Sequence, residues 1–317
     1  MLSRASERGR YVRIDWRQYL VYIGFVALFL FFAIILRDAG FTNPNNLLNI
    51  VRQTAIIATM AVAMTFVIAA GQIDLSVGAI AGLSSVTTAL TIARFGVVAG
   101  VLVGLLTGLV VGAANGFLTT RLVIPSFLVT LGMMGVARGS AMWVTDTAAV
   151  PILDQSYNSV FGSGQIGPIP SLLIWITVVT IVGYIVLQKT PYGRQVLATG
   201  GNEQAARFSG VNTRRIGFLV LTVSGVVAAL AGMLYAGRLQ SGRFQWGEGD
   251  ELSVIAAVVL GGTSLFGGSG SVIGSVLGAL LIGVVNNGLI LMGLESSQQI
   301  IIRGGIIIVA VALARRN

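Results

Sequence analysis

Apolar stretches with almost no charge follow one another through most of this 317-residue chain, and nothing else in the sequence constrains the fold as tightly. Each runs for about 20 residues, the length a helix needs to cross the hydrocarbon of a bilayer. In lipid every backbone N–H and C=O must be bonded inside the segment, so such runs become helices. They fall at roughly 19–36, 46–70, 76–93, 97–119, 124–145, 170–188, 216–237, 251–266, 271–292 and 298–314. The expectation is an all-α polytopic membrane protein of about ten transmembrane helices. Only 10% of the residues are charged, against about 25% in soluble domains.

The chain has neither cysteine nor histidine. That removes disulfides, Cys–His metal centres and histidine general bases, and no cluster of carboxylates replaces them. No catalytic residue and no metal site are expected. The net charge of +9 does not point to nucleic acid, because the arginines sit at the ends of apolar runs. With the N-terminus in the cytoplasm, thirteen of the twenty Lys and Arg fall on the cytoplasmic side, as the positive-inside bias requires. Residues 1–18 then form a basic cytoplasmic leader. Residues 19–317 form one membrane domain, whose first span is retained rather than cleaved as a signal.

Two connections are long. Residues 146–169 are polar and rich in Gly and Pro, an outer loop or short re-entrant piece. Residues 189–215 are basic and separate two related halves, about 46–145 and 216–314. "IDLSVGAIAGLSS" after the second run returns as "DELSVIAAVVLGG" after the seventh. The two units would enter the membrane from opposite sides, making an inverted repeat of the kind many transporters share. Glycines at 100, 104, 108, 112 and 116 lay a stripe without side chains along one helix face, which suits close helix packing rather than substrate contact.

Two glycine-containing motifs fail as phosphate loops. Gly183 to Thr190 carries Gln188 where the second glycine of G-x-x-x-x-G-K-[ST] is needed, and "GGSGSVIG" misses the dinucleotide fingerprint. The chain therefore does not bind ATP through either.

Asp74, in "GQIDLSVG", stands isolated in apolar sequence. The segment breaks one helix and begins the next, with Asp74 accepting hydrogen bonds from orphan N–H groups beside Ser76. Asp250, Glu251 and Ser253 are expected to do the same before the eighth span. An intramembrane acid is also a candidate for the translocation path, and the two roles are compatible. Asn115, Asn286 and Asn287 need hydrogen-bond partners, either across helices or along a polar path. Arg138 either pairs with outer carboxylates or snorkels to the interface. In "GGNEQAARFSGVNTRR" (200–215) Asn202 caps a short helix that Gly210 ends, offering a small exposed surface to a soluble partner.

"GQIDLSVGAIAGL", "NEQAARFSGVNTRR" and "VVLGGTSLFGGSGSVIGSVLGALLIGVVNNGL" together resemble the permease subunits of bacterial ABC importers for monosaccharides, the ribose-type family in particular. The resemblance covers almost the whole chain. It implies a homodimer in the bacterial inner membrane, a separate ATP-binding subunit (often two fused ATPase domains) that keeps ATP and Mg, and a periplasmic sugar-binding protein. It assigns Gly201, Asn202, Glu203, Ala205, Ala206, Arg207, Ser209 and Gly210 to ATPase coupling. One local departure is "GQID", where relatives often carry another Gly or Ser before Ile. Two rivals stay open here: a branched-chain amino-acid permease of the same superfamily, and an ion-coupled secondary transporter.

Overall fold

The computed structural model describes residues 20–314; the leader, and with it the expected side of the N-terminus, lies outside them. The helices are α1 (Leu20–Ile35), α2 (Pro44–Ala69), α3 (Val77–Arg121), α4 (Ser126–Thr145), α5 (Gln155–Phe161), α6 (Ser171–Lys189), α7 (Pro191–Gly201), α8 (Glu203–Phe208), α9 (Thr213–Leu239), α10 (Asp250–Leu260), α11 (Val272–Leu291) and α12 (Ser296–Ala314). Two short ribbons complete them, β1 (Val150–Pro151) with β4 (Ser241–Gly242) and β2 (Gln165–Ile166) with β3 (Ile169–Pro170).

The helical membrane class holds, but the expected count does not follow from these elements. Among the described residues six helices, α2, α3, α4, α6, α9 and α11, are long and apolar enough to cross a membrane. α10, with 11 residues, extends only about 16 Å and ends at the Gly261–Gly262 turn, so the run 251–266 is not one spanning helix. α1 has 16 residues. The third and fourth expected spans share one 45-residue element interrupted at Gly96, where φ is +82°.

That element doubles back. Thr87 and Thr107 share a hydrogen bond of 3.0 Å, and the Ser84 hydroxyl donates to the Gly104 carbonyl at 3.1 Å. Twenty residues along a straight helix are about 30 Å apart, so α3 is a hairpin of two antiparallel limbs. The left-handed backbone at Gly96 is open to glycine without penalty.

The second limb of α3 packs along α9 by backbone contact. A Cβ on Gly112 would lie 2.8 Å from the carbonyls of Leu221 and Thr222, and one on Gly116 would lie 2.7 Å from that of Phe218. Gly225 answers from α9, where a Cβ would meet the Gly112 Cα at 2.7 Å. Nothing larger than hydrogen fits this seam. α2 is apolar around its whole circumference and is buried accordingly: Ile56, Met60, Met64 and Ile68 are enclosed by α6, α9, α10 and α11. Thr65 donates to Ser275 of α11 at 2.7 Å, and Asn46 and Asn287 exchange reciprocal bonds of 2.9 Å at the other end of the same pair.

Loops gather at two ends. At one, the Gly268 N–H donates to the Ala69 carbonyl at 3.0 Å, and Gly200 is packed against both. At the other, β1 of the 146–169 segment pairs with β4.

Candidate functional site

The turn between α2 and α3 is the most polar feature inside the bundle. Gly71, at φ +76°, reverses the chain after α2. Residues 72–76 then run back beside α4, where Ser126 accepts from the Ile73 N–H and Thr130 accepts from the Leu75 N–H, both at 3.0 Å. Asp74 is fully buried. Its Oδ1 accepts from the Ser76 N–H at 2.9 Å and the Ser76 hydroxyl at 2.6 Å, and its Oδ2 accepts from Ser224 of α9 at 2.8 Å. Asn115, on the second limb of α3, donates to Ser76 Oγ at 2.9 Å. The Asp74 carboxylate ties the turn to α9, and the Ser76 hydroxyl ties the turn to the second limb of the hairpin.

Asp74, Ser76 and Asn115 therefore come together. Asn287 does not join them; it is bonded to Asn46 at the far end of α2. Neither does Asn286, whose Oδ1 is buried without a hydrogen-bond partner. Ser224 was not singled out from sequence, because a serine in an apolar run gives no sign of what it faces. The expectation for the second half needs correction. α10 begins at Asp250 behind Gly249, with no side-chain cap. Asp250 instead accepts from the Tyr235 hydroxyl, and Ser253 Oγ is buried without a partner.

The second constellation lies at the end where Ala69, Gly200 and Gly268 meet. α8 is a six-residue helix capped by Asn202, whose Oδ1 accepts from the Ala205 N–H at 2.9 Å. It stops at Gly210, where φ is +83°. Arg207 pairs with Glu203 one turn back and donates to Thr213 Oγ1 at 2.8 Å; Thr213 donates in turn to Glu203 at 3.1 Å. This triangle fixes α8 on the start of α9, while Ala206 is buried beneath it. Phe208 stands 91% exposed, the most exposed large apolar side chain among the described residues, and the sequence motifs do not single it out. An aromatic inside a polar surface helix was the available signal.

α7 carries α8 onto the bundle. Tyr192 stacks on Phe66 of α2 with ring centroids 6.4 Å apart, and burial pushes its phenol up to about 12, so it is neutral. Gly200 has room for no side chain: a Cβ would lie 2.8 Å from the Gly268 nitrogen. Beside this junction opens a cleft of about 550 Å³. Gly71, Gln72, Thr119, Asn202, Glu203 and Arg207 contribute to its walls. The cleft thus joins the exposed helix to the turn that carries Asp74.

A buried polar turn inside a bundle of membrane helices, with a small exposed helix packed near it, fits a membrane transport component. Comparison with known proteins gives the family. A family profile described as branched-chain amino acid transport system / permease component matches residues 46–311, and the chain belongs to that permease family. The ribose import permease protein RbsC of Bacillus subtilis (strain 168) is 42% identical over 296 residues, covering 92% of each chain. The probable ABC transporter permease protein YphD of Escherichia coli (strain K12) is 41% identical, over 90% of this chain and 86% of its own. The L-arabinose transport system permease protein AraH of the same strain is 38% identical, over 95% of this chain and 91% of its own. No solved structure is matched. The chain is a multi-pass inner-membrane permease component and not itself an enzyme.

Proposed function

We propose that this chain is the membrane subunit of an ATP-driven importer that carries a monosaccharide, ribose-like or related, inward by alternating access. The observation that carries the reading is identity of 38–42% along more than nine-tenths of the chain to permeases named for ribose and arabinose. It disfavours the amino-acid rival, although the family description names branched-chain amino acids.

In this reading two copies form the transporter, and each has ten membrane-crossing segments arranged as two inverted halves, about 46–145 and 216–314. The hairpin at Gly96 supports separate third and fourth passes. The eighth pass is α10 plus the glycine turn that follows it. Residues 189–215 and the leader face the cytoplasm. An ATP-binding subunit, two ATPase domains fused in tandem, holds ATP and Mg and seats on Gly201, Asn202, Glu203, Ala205, Ala206, Arg207, Ser209 and Gly210. Phe208 enters its groove as the apolar anchor. A periplasmic sugar-binding protein delivers solute at the end bearing β1 and β4.

The coupling follows from rigidity. α8 is held to α9 by the Arg207–Glu203–Thr213 triangle. It is held to α2 and the 261–270 turn through Gly200, where backbones touch without side chains between them. A pull on α8 therefore reaches the turn at Asp74 and the glycine turn after α10 together. Asp74, Ser76 and Asn115 form the inner gate of the solute path, with Asn286 and Asn287 farther along it. Selectivity lies mainly in the binding protein.

The test is direct. Arg207→Glu and Gly210→Trp should each abolish ATP-dependent sugar uptake while membrane insertion is retained. Normal transport by both variants would overturn the coupling assignment. Uptake that survives loss of the ATPase and collapses with an uncoupler would favour the ion-coupled rival.

A further inference from the structure

We propose that Arg138, Glu248 and Glu251 form a polar station on the solute path, at the end of the bundle opposite α8, that hydrogen-bonds the hydroxyls of a passing sugar. The proposal rests on the transport reading and adds to it the residues that touch solute in the outer half.

Depth comes first. Arg138 lies twelve residues into the 20-residue helix α4, about 18 Å from its start and about 10 Å from its end, well inside the span of the helix. It forms an ion pair with Glu248 at 3.0 Å, and the two side chains remain 26% and 54% exposed. Charged groups at that depth do not face lipid; they face protein or water-filled cavities. The exposed side of this pair therefore faces water or another protein surface.

Unmet hydrogen-bonding capacity comes second. Arg138 Nε is buried without a partner, and so is Glu251 Oε2. Glu251 stands within the electrostatic reach of Arg138 and Glu248, with its carboxylate against Gly78 at the start of α3. Both atoms are buried in this conformation; uncovered beside the half-exposed Glu248 carboxylate, such a donor and acceptor suit a vicinal diol, whose hydroxyls both accept and donate.

Room comes third. On α4 the positions 132, 135 and 139 are glycine, and a Cβ at any of them would meet nothing within 4 Å. Gly135, three residues before Arg138, shares its helix face by spacing. Opposite, the chain reaches Glu248 between Gly247 and Gly249, at φ +84° and +79°. Gly247 itself packs on Gly78, where a Cβ would lie 2.6 Å from the carbonyl, so the open side of the charges is the α4 face alone.

The chain has no cysteine, so single replacements report without background. The experiment uses the full transporter with its ATPase and binding protein in proteoliposomes. Glu248→Cys is treated with a charged, membrane-impermeant methanethiosulfonate, with Leu106→Cys, on the apolar second limb of α3, as the lipid-level control. The station predicts labelling at 248 at least 10-fold faster than at 106; equal, slow labelling at both overturns it, because the face is then closed against lipid or a second copy. In parallel, Glu248→Gln and Glu251→Gln should each cut D-ribose uptake at least 10-fold with complex assembly unchanged. The exchange Arg138→Glu with Glu248→Arg keeps the ion pair but reverses the groups offered to solute. If the exchanged variant transports like the wild type, the pair is only a strut and the proposal fails. Wild-type uptake is read separately: its loss on removing the ATPase tests the transport reading, whereas labelling at 248 tests the station alone.

Discussion

Replacing Asp74 separates its structural role from any role on the path. Asp74→Ala removes the acceptor for three donors at once: the Ser76 N–H, the Ser76 hydroxyl and the Ser224 hydroxyl. A buried donor left unpaired costs about 1–3 kcal/mol. The two hydroxyls can turn toward other acceptors, whereas the Ser76 N–H cannot, so the expected net loss is about 2–4 kcal/mol. Asp74→Asn keeps Oδ1 and both Ser76 bonds, and its amide faces Ser224, whose hydroxyl can reverse and accept. Its expected cost is about 1 kcal/mol or less. Thermal unfolding of the detergent-purified chain, followed by the monodisperse fraction on size exclusion, should rank wild type, then Asn, then Ala. Alanine as stable as wild type, or asparagine worse than alanine, would refute the picture of Asp74 as the tie between turn and α9. If asparagine keeps the stability but loses uptake, the charge itself serves the path.

Three further outcomes follow from packing. Gly112→Val should destabilise the α3–α9 seam by about 1–3 kcal/mol, because its Cβ would fall 2.8 Å from two carbonyl oxygens; Gly24→Ala, with nothing within 4 Å, should be neutral in the same unfolding assay. Asn287→Ala should cost about 1–2 kcal/mol by leaving the Asn46 Oδ1 without its donor, and Asn46→Ala should cost less in that background than alone, since only its bond to the Phe41 carbonyl remains to lose, which a double-mutant cycle measures. Phe208→Ser should leave the thermal stability of the isolated chain unchanged, since the ring is 91% exposed, yet weaken capture of the ATP-binding subunit in a pull-down at least 10-fold.

The sequence determined the class. Uncharged runs of spanning length leave a chain no option but helices in lipid, and Asn202 and Gly210 mark the ends of α8 because cap chemistry is local. The stripe at 104, 108, 112 and 116 announced a close seam in the same way. Tertiary structure decided which groups meet. Ser224 stands 150 residues from Asp74 along the chain and completes its carboxylate; Asn287 meets Asn46 across 241 residues and so lies away from the Asp74 turn. The shortness of α10 was likewise illegible, since an apolar run reads the same whether it is helical throughout or stops at Gly261 and Gly262. Periodicity and caps are properties of neighbours along the chain and can be read there. The pairing of isolated polar groups depends on helix rotation and depth, which are fixed only when the bundle closes.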